Sequence, residues 1–223
     1  MTRASETAKI LLETQSIQFS PEKPFVFTSG RCSPVYVDCR KLIGFVEERR
    51  KIVQLWKEML LEKFPDLPFD CVAGGETAGI PYSAFLAEAL DKPMAYIRKK
   101  PKGFGSNASI EGNLRTDERV LLVEDLSTDG GSKLRFVDAI REAGSKVSHC
   151  VVVFEYGIFN YKNNHLSKAD IELHSLATWK DVLLYARENN SFTPETLEEV
   201  ERFLAAPDAW LPKGQMHLKS FDQ

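Results

Sequence analysis

The feature that most constrains the fold is a strand–loop–helix unit between residues 120 and 144. Val120–Val123 is a run of four aliphatic residues, typical of a strand buried on both faces. Glu124 and Asp125 follow it, and then Ser127–Ser132 supplies only turn, hydroxyl and glycine residues. The next apolar residues recur with helical spacing up to Gly144, a typical helix stop: Leu134, Val137, Ile140 and Ala143.

The residues of this unit favour a ligand with two different ends. Small residues let backbone N–H groups turn inward, and the following helix starts there with its positive dipole end, so the loop predicts an anion site, most simply a phosphate. Two adjacent carboxylates repel a bare phosphate and instead suit hydroxyls or a hydrated divalent cation. A phosphorylated ribose satisfies both ends. An ordinary strand–turn–helix with a polar loop remains an alternative, because neither common phosphate motif is present.

Two further loops belong to the same chemistry. Gly74–Gly79 is a second glycine-rich turn at a strand end, which suggests a second anion contact or close helix packing. Arg98–Gly112 has no apolar period, so we predict a mobile segment with neither helix nor strand. Such a loop could close over a departing pyrophosphate, although a charge run can also be a solvated face. Its cations fall within five residues: Arg98, Lys99, Lys100 and Lys102.

Composition limits the kinds of protein that this chain can be. The 223 residues suggest one domain, and a net charge of −3 gives no reason to expect nucleic acid as a partner. The four cysteines form no C-x-x-C pair and have no histidine at ligand spacing, so free thiols in a reducing cytoplasm are expected and zinc binding by them is not. No apolar run is long enough to span a membrane, and the amino terminus has no signal core.

Three motifs resemble those of known enzymes. VLLVEDLSTDGGS, residues 120–132, resembles the phosphoribosyl-pyrophosphate (PRPP) motif of type I phosphoribosyltransferases. The pattern S-G-x-x-S-P-x-Y-x-D at residues 29–38 and the pattern R-K-x-x-K-x-x-G at residues 98–105 resemble those of orotate phosphoribosyltransferases. The resemblance covers roughly residues 22 to 210.

The resemblance implies an α/β fold with a mainly parallel central sheet, helices on both faces and a small N-terminal hood. We expect a single domain over residues 1–223, with the hood at about 1–45 and a C-terminal helical extension at about 178–223. The expected strands lie near Asp70, Met94, Val120, Val147 and Ile171.

The implied reaction transfers the 5-phosphoribosyl group from PRPP to orotate, giving orotidine 5′-monophosphate and pyrophosphate. Mg²⁺ is the implied cofactor, held through PRPP with no direct protein ligand, and the implied assembly is a cytoplasmic homodimer that shares the cationic loop across subunits. By residue-by-residue match, Thr128 also contacts orotate, and Glu124, Asp125, Arg98 and Lys102 are the implied catalytic residues. The implied PRPP-binding residues are Arg98, Lys99, Lys102, Glu124, Asp125, Leu126, Ser127, Thr128, Asp129, Gly130, Gly131 and Ser132.

Three positions depart from the pattern. Thr28 replaces a lysine found in some members, Phe104 replaces a common histidine, and Tyr156 stands near the place of an orotate-binding arginine. Arg31 or Arg40 could restore the missing positive charge. The alternatives are therefore a phosphoribosyltransferase for another base, a non-catalytic PRPP-binding regulator, and a nucleotide-binding α/β protein of unrelated chemistry.

Overall fold

The computed structural model describes residues 1–26, 32–100, 109–158, 165–207 and 209–211. Its centre is a six-stranded sheet with the strand order β10-β9-β8-β5-β6-β7. All neighbouring pairs are parallel except β6 with β7. The strands are β5 (Cys71–Gly75), β6 (Met94–Ile97), β7 (Ile110–Gly112), β8 (Arg119–Ser127), β9 (Lys146–Glu155) and β10 (Glu172–Thr178). The predicted fold class, a mainly parallel sheet between helices, is confirmed.

Helices cover both faces of this sheet. The α-helices are α1 (Arg3–Glu13), α2 (Val46–Lys63), α3 (Gly79–Leu90), α4 (Leu134–Glu142), α5 (His165–Lys168), α6 (Trp179–Glu188) and α7 (Pro194–Ala205). Short 3₁₀ helices at Cys39–Gly44 and Gly131–Lys133 precede α2 and α4. Among the described residues, no helix is both long and apolar enough to cross a membrane.

Strand β8 divides the hydrophobic core into two halves. Because successive side chains of a strand point to opposite faces, Leu121 and Val123 join one cluster and Val120 and Leu122 join the other. The first cluster includes α1, α2 and α3, and the second includes α4 and α5. Trp56 of α2 is fully buried in the first, and its indole N–H donates to the carbonyl of Val152 at 3.1 Å.

The N-terminal segment forms two small antiparallel ribbons beside the main sheet. Strand β1 (Ile17–Phe19) pairs with β4 (Val35–Val37), and β2 (Phe25–Val26) pairs with β3 (Cys32–Ser33). The aromatic and β-branched runs on either side of Ser29 and Gly30 predict a hairpin or two short strands, and the antiparallel β2–β3 pair agrees with this. Residues 27–31 between these strands lie outside the described residues. The division into a hood and a C-terminal extension stays a prediction.

Local boundaries differ from the sequence expectations in three places. Strand β8 continues through Glu124 and Asp125 to Ser127, because β9 pairs with it as far as Glu155. The sequence predicts a helix from Ser5 to about Gln15 with Ser5 as its cap, whereas α1 is capped by Thr2, whose hydroxyl accepts the Ser5 N–H. Residues 110–112 of the predicted loop form an edge strand with β6, since backbone pairing there does not require an apolar period.

Candidate active site

A cleft of about 440 Å³ lies at the carboxyl ends of the central parallel strands. Parallel strands of an open α/β sheet present their carboxyl ends to ligands, because the loops that follow them converge there. The cleft is lined from β8 and its loop by Glu124, Asp125, Leu126, Thr128 and Ser132. Other elements contribute Val37, Arg40, Glu76, Thr77, Ala78, Lys99, Lys133, Arg135 and Phe136.

The two acids are buried at the end of β8, each only 8% exposed. Glu124 lies on the α4 side, with Oε2 4.0 Å from Lys133 Nζ, and its Oε1 has no hydrogen-bond partner among the described residues. Burial raises the pKa of Glu124 to about 8, against a smaller lowering by Lys133. Burial also raises the pKa of Asp125, opposed first by the backbone N–H of Leu126.

The loop after β8 turns by means of Asp129 and Gly130. The Asp129 carboxylate accepts the N–H of Gly131 at 3.0 Å, and Gly130 has φ +80°, a conformation that favours glycine. The 3₁₀ turn from Gly131 then leads directly into α4. At the start of the loop, Ser127 is fully buried and its hydroxyl has no partner among the described residues. The loop thus opens beside the two acids, as the sequence predicts.

Four cationic side chains line the cleft: Arg40, Lys99, Lys133 and Arg135. Lys133 is 3% exposed, a rare burial for a lysine, and it lies under the loop beside Glu124. Arg135 donates through Nε to the carbonyl of Ser132 at 3.2 Å. The cleft therefore combines two buried acids with several cations, as a ligand with hydroxyl and phosphate groups requires.

The second glycine-rich turn is packed tightly against the acids. A Cβ on Gly75 would overlap both Glu124 Oε1 and the ring of Phe136, and a Cβ on Gly79 would lie 2.7 Å from Glu124 Oε1. Close packing therefore explains these glycines. The turn also reaches the cleft, since Glu76 lines it and accepts the N–H of Lys99 at 2.7 Å.

Arg40 also lines the cleft, within electrostatic reach of Asp125. Its Nε donates to Asp38 Oδ1 at 2.6 Å, and its Nη2 lies 3.4 Å from the hydroxyl of Tyr36. This ion pair raises the pKa of Arg40. The guanidinium therefore stays charged at the cleft wall. The sequence named Arg31 or Arg40 as the source of this positive charge, and Arg31 lies outside the described residues.

The basic segment, residues 98–102, lies only partly within the described part of the chain. Lys99 lines the cleft, whereas Arg98 pairs with Glu111 of β7 through Nη1 at 3.4 Å and is not among the cleft-lining residues. Lys102, Phe104 and Thr28 lie outside the described residues. Tyr156 packs edge-on against Phe154 and Trp179 and also does not line the cleft described above.

Two cationic residues that line the cleft, Lys133 and Arg135, were not predicted from the sequence. Lys133 and Arg135 follow the glycine loop directly, where the spacing of their apolar neighbours indicates a helix but no ligand contact. The first turn of a helix that begins at an anion loop faces that loop. Positive residues at those positions were therefore a readable signal.

The comparisons with known proteins agree with this geometry. A family model described as a phosphoribosyl transferase domain matches residues 46–184. Together with the acid pair and the glycine loop on one sheet edge, this match defines the class of protein as a phosphoribosyltransferase.

Individual relatives show which family of phosphoribosyltransferases this chain resembles. The orotate phosphoribosyltransferase of Dinoroseobacter shibae is 51% identical over 204 residues, which cover 92% of this chain and 90% of that protein. The crystal structure of orotate phosphoribosyltransferase from Aeropyrum pernix matches with a TM-score of 0.67 and 30% identity, over 83% of this chain and 99% of that one. Leishmania donovani UMP synthase matches with a TM-score of 0.75 and 25% identity, over 90% of this chain but only 42% of that longer protein. This chain belongs to the orotate phosphoribosyltransferase family.

Proposed function

We propose that this protein transfers the 5-phosphoribosyl group from PRPP to N1 of orotate, giving orotidine 5′-monophosphate and pyrophosphate for pyrimidine nucleotide synthesis. The observation that carries the proposal is the cleft, where Glu124, Asp125 and the Thr128–Ser132 loop meet four cations. The names of the relatives at about half identity support the choice of orotate as the acceptor.

The PRPP molecule is assigned to the cleft by matching charge to charge. The 5′-phosphate binds the loop from Ser127 to Ser132, whose backbone N–H groups and following helix attract anions. The ribose hydroxyls donate to Glu124 and Asp125. Lys99 lines the cleft wall on the side of the basic segment, where it and Arg98 and Lys102 would neutralise the pyrophosphate. The remaining proposed contacts are Leu126, Thr128, Asp129, Gly130 and Gly131.

The residues present fit a magnesium ion that arrives with PRPP. Carboxylate oxygens suit Mg²⁺, which keeps several waters and binds substrate phosphates, and Glu124 Oε1 is a buried acceptor with no partner among the described residues. Glu124 and Asp125 would hold the ribose hydroxyls that share the ion. When bound, Mg²⁺ supplies positive charge to the pyrophosphate and orients it.

The reaction needs no protein nucleophile. The bond between C1 of ribose and the pyrophosphate oxygen breaks, and pyrophosphate keeps the electron pair. N1 of orotate forms the new bond to C1, and its proton leaves. Positive charge grows on the ribose as the first bond breaks. The carboxylate of Asp125, and that of Glu124 once the cation arriving with PRPP favours its ionised form, would stabilise this charge, while the lysines and arginines stabilise the leaving group.

The base is assigned to the end of the cleft near Thr128 and Arg40. Tyr156 replaces the arginine that the family pattern places near this position, so the carboxylate of orotate needs another cation. Arg40 fits because its Nε donates to Asp38, while its terminal Nη2 has a long contact of 3.4 Å with the hydroxyl of Tyr36. A guanidinium can bind a carboxylate through two parallel hydrogen bonds.

The assembly is proposed to be a cytoplasmic homodimer. In this arrangement the basic segment of one subunit serves the partner's cleft, which would explain why Arg98 lies on Glu111 rather than in its own cleft. The partners are small molecules, PRPP and orotate.

Turnover with different bases tests the proposal. The protein is incubated with PRPP and Mg²⁺ and with orotate, uracil or adenine, and pyrophosphate release is followed. Pyrophosphate release is expected with orotate and not with uracil or adenine. Release only with another base would support the alternative specificity, and PRPP binding without release for any base would support the regulator.

A further inference from the structure

Three potential metal ligands lie together at the sheet edge opposite the cleft. His149 belongs to β9, and Glu172 and His174 belong to the neighbouring parallel strand β10, where Glu172 pairs with His149. Paired residues and residues two apart project from the same face of a sheet. On β8, His149 is opposite Leu121, and Ser127 lies about 20 Å further along the strand at ~3.3 Å per residue. This trio is therefore separate from the cleft.

We propose that His149, Glu172 and His174 form a binding site for a divalent transition ion, best matched to Zn²⁺. Their ligand atoms all lie within 4.8 Å of one another. His149 Nδ1 is 3.1 Å from His174 Nε2, and it is 3.7 Å from Glu172 Oε2. Two ligands of a tetrahedral zinc ion, with bonds of about 2.1 Å, lie roughly 3.4 Å apart. The observed separations of 3.1 and 3.7 Å lie on either side of that value.

The packing holds the two imidazoles in place, while the carboxylate of Glu172 is exposed and can adjust. The side chain of His174 is 0% exposed, whereas that of Glu172 is 57% exposed. Phe64 packs against both rings, with centroid distances of 4.8 Å to His149 and 5.6 Å to His174. Two rigid histidines and one adjustable carboxylate suit zinc with a water as the fourth ligand.

Lys63 is the competitor for this site. Its Nζ lies 3.0 Å from His174 Nδ1 and 3.5 Å from Glu172 Oε1. An ammonium there repels a cation and occupies the same carboxylate. Lys63 is the last residue of α2 and its side chain is 46% exposed, so it can move into water when an ion binds. Removing its charge should therefore strengthen metal binding.

The test is a zinc titration of tag-free protein that has been stripped with a chelator, followed by calorimetry without PRPP. One Zn²⁺ per chain is expected. Glu172→Gln and His149→Asn should each weaken binding about tenfold or more, since each removes one of three ligands. Lys63→Met should tighten it. Co²⁺ in place of Zn²⁺ should give the visible absorption of a tetrahedral site, and His149→Asn should abolish that absorption.

Control substitutions at other acids test whether zinc binding is specific to this cluster. Glu142→Gln changes an exposed acid of α4 and should leave zinc binding unchanged. Asp125→Asn should also leave it unchanged, because the cleft is not involved. The proposal is overturned if no stoichiometric zinc binds, if Asp125→Asn removes binding while Glu172→Gln does not, or if Lys63→Met weakens it. Orotate turnover should be unaffected by Glu172→Gln, so failure here does not touch the proposed enzyme activity.

Discussion

Glu124 and Asp125 are adjacent in sequence but meet different surroundings. Glu124 lies among Lys133 and the glycines of the second turn. Asp125 lies on the other face of β8, near Cys39, whose thiol pKa is raised first by burial and then by the charge of Asp125. Both line the cleft because β8 ends there. One strand end can thus present two carboxylates to two neighbouring hydroxyls of a sugar.

Asp125→Asn should lower kcat/KM about 100-fold, or ~3 kcal/mol, because an amide cannot stabilise the positive charge on the ribose. Steady-state kinetics with PRPP and orotate measure this. The matched control is Asp138→Asn, an exposed acid of α4, which should stay within twofold. A loss below threefold in Asp125→Asn removes that carboxylate from the mechanism.

The pKa of Glu124 should be visible in the stability of the ligand-free protein. This pKa is raised from 4.5 to about 8, so the folded state holds a proton that the unfolded state releases. The contribution is fully present below pH 4.5 and is lost as the pH rises through about 8. The Tm of the wild type should therefore fall between pH 5 and pH 8 more steeply than that of Glu124→Gln. Equal slopes in the two proteins would contradict the burial of this carboxyl.

Arg40→Met should raise the KM for orotate about tenfold or more while leaving the KM for PRPP nearly unchanged, because a charged hydrogen bond contributes roughly 1.5–3 kcal/mol. Arg50→Met is the matched control, since Arg50 pairs with Glu47 on the exposed side of α2. A rise in the KM for PRPP alone would place Arg40 on the phosphate side of the site instead.

At the scale of elements, the acids depend on the turn between β5 and α3. Position 75 requires glycine, because the Cβ of any other residue there would overlap Glu124 and Phe136. The helix that follows packs against the same strand end. The turn and the acid pair therefore form one packed unit.

Gly75→Ala should cost about 1–3 kcal/mol of stability through overpacking and should also reduce activity by displacing Glu124. Chemical unfolding and kinetics measure the two effects. Gly44→Ala is the control, since no atom lies within 4 Å of the Cβ it adds. Full activity in Gly75→Ala would show that Glu124 tolerates displacement.

Element types were more predictable than their ends. The apolar run at Val120 predicts a buried strand. Thr178 with an acid three residues later, Asp181, is a sequence pattern that predicts a capped helix start, and in α6 the Thr178 N–H donates to Asp181 at 2.8 Å. The end of β8 was not readable, since pairing with β9 carries the strand past the last apolar run into polar residues. Tertiary pairing, which local sequence does not encode, made that difference.

At the scale of the whole molecule, the acids and the loop were predictable because they are consecutive in the chain. Lys99 was also predicted, from the family motif. Arg40 was not securely predicted, since it reaches the cleft from a separate segment beyond the N-terminal ribbons. The His149–Glu172–His174 cluster was missed for the same reason, because adjacent strands bring together residues more than twenty positions apart.

The proposed sharing of the basic segment between subunits predicts complementation. Lys102→Ala alone should lose about 100-fold in rate, as expected for one charge donor. When Lys102→Ala and Asp125→Asn chains are mixed and allowed to exchange, about one quarter of all sites should regain both residues in a random dimer mixture. Recovery of orotate turnover toward that level is expected. No recovery despite proven exchange would mean that each subunit uses its own basic segment.

A crystal structure of the protein with PRPP and Mg²⁺ tests the central claim most directly. The account predicts ribose hydroxyls within hydrogen-bond distance of Glu124 and Asp125, and the 5′-phosphate on the backbone N–H groups between Thr128 and Ser132. A phosphate bound elsewhere on the sheet edge, or a ribose that contacts neither acid, would contradict it.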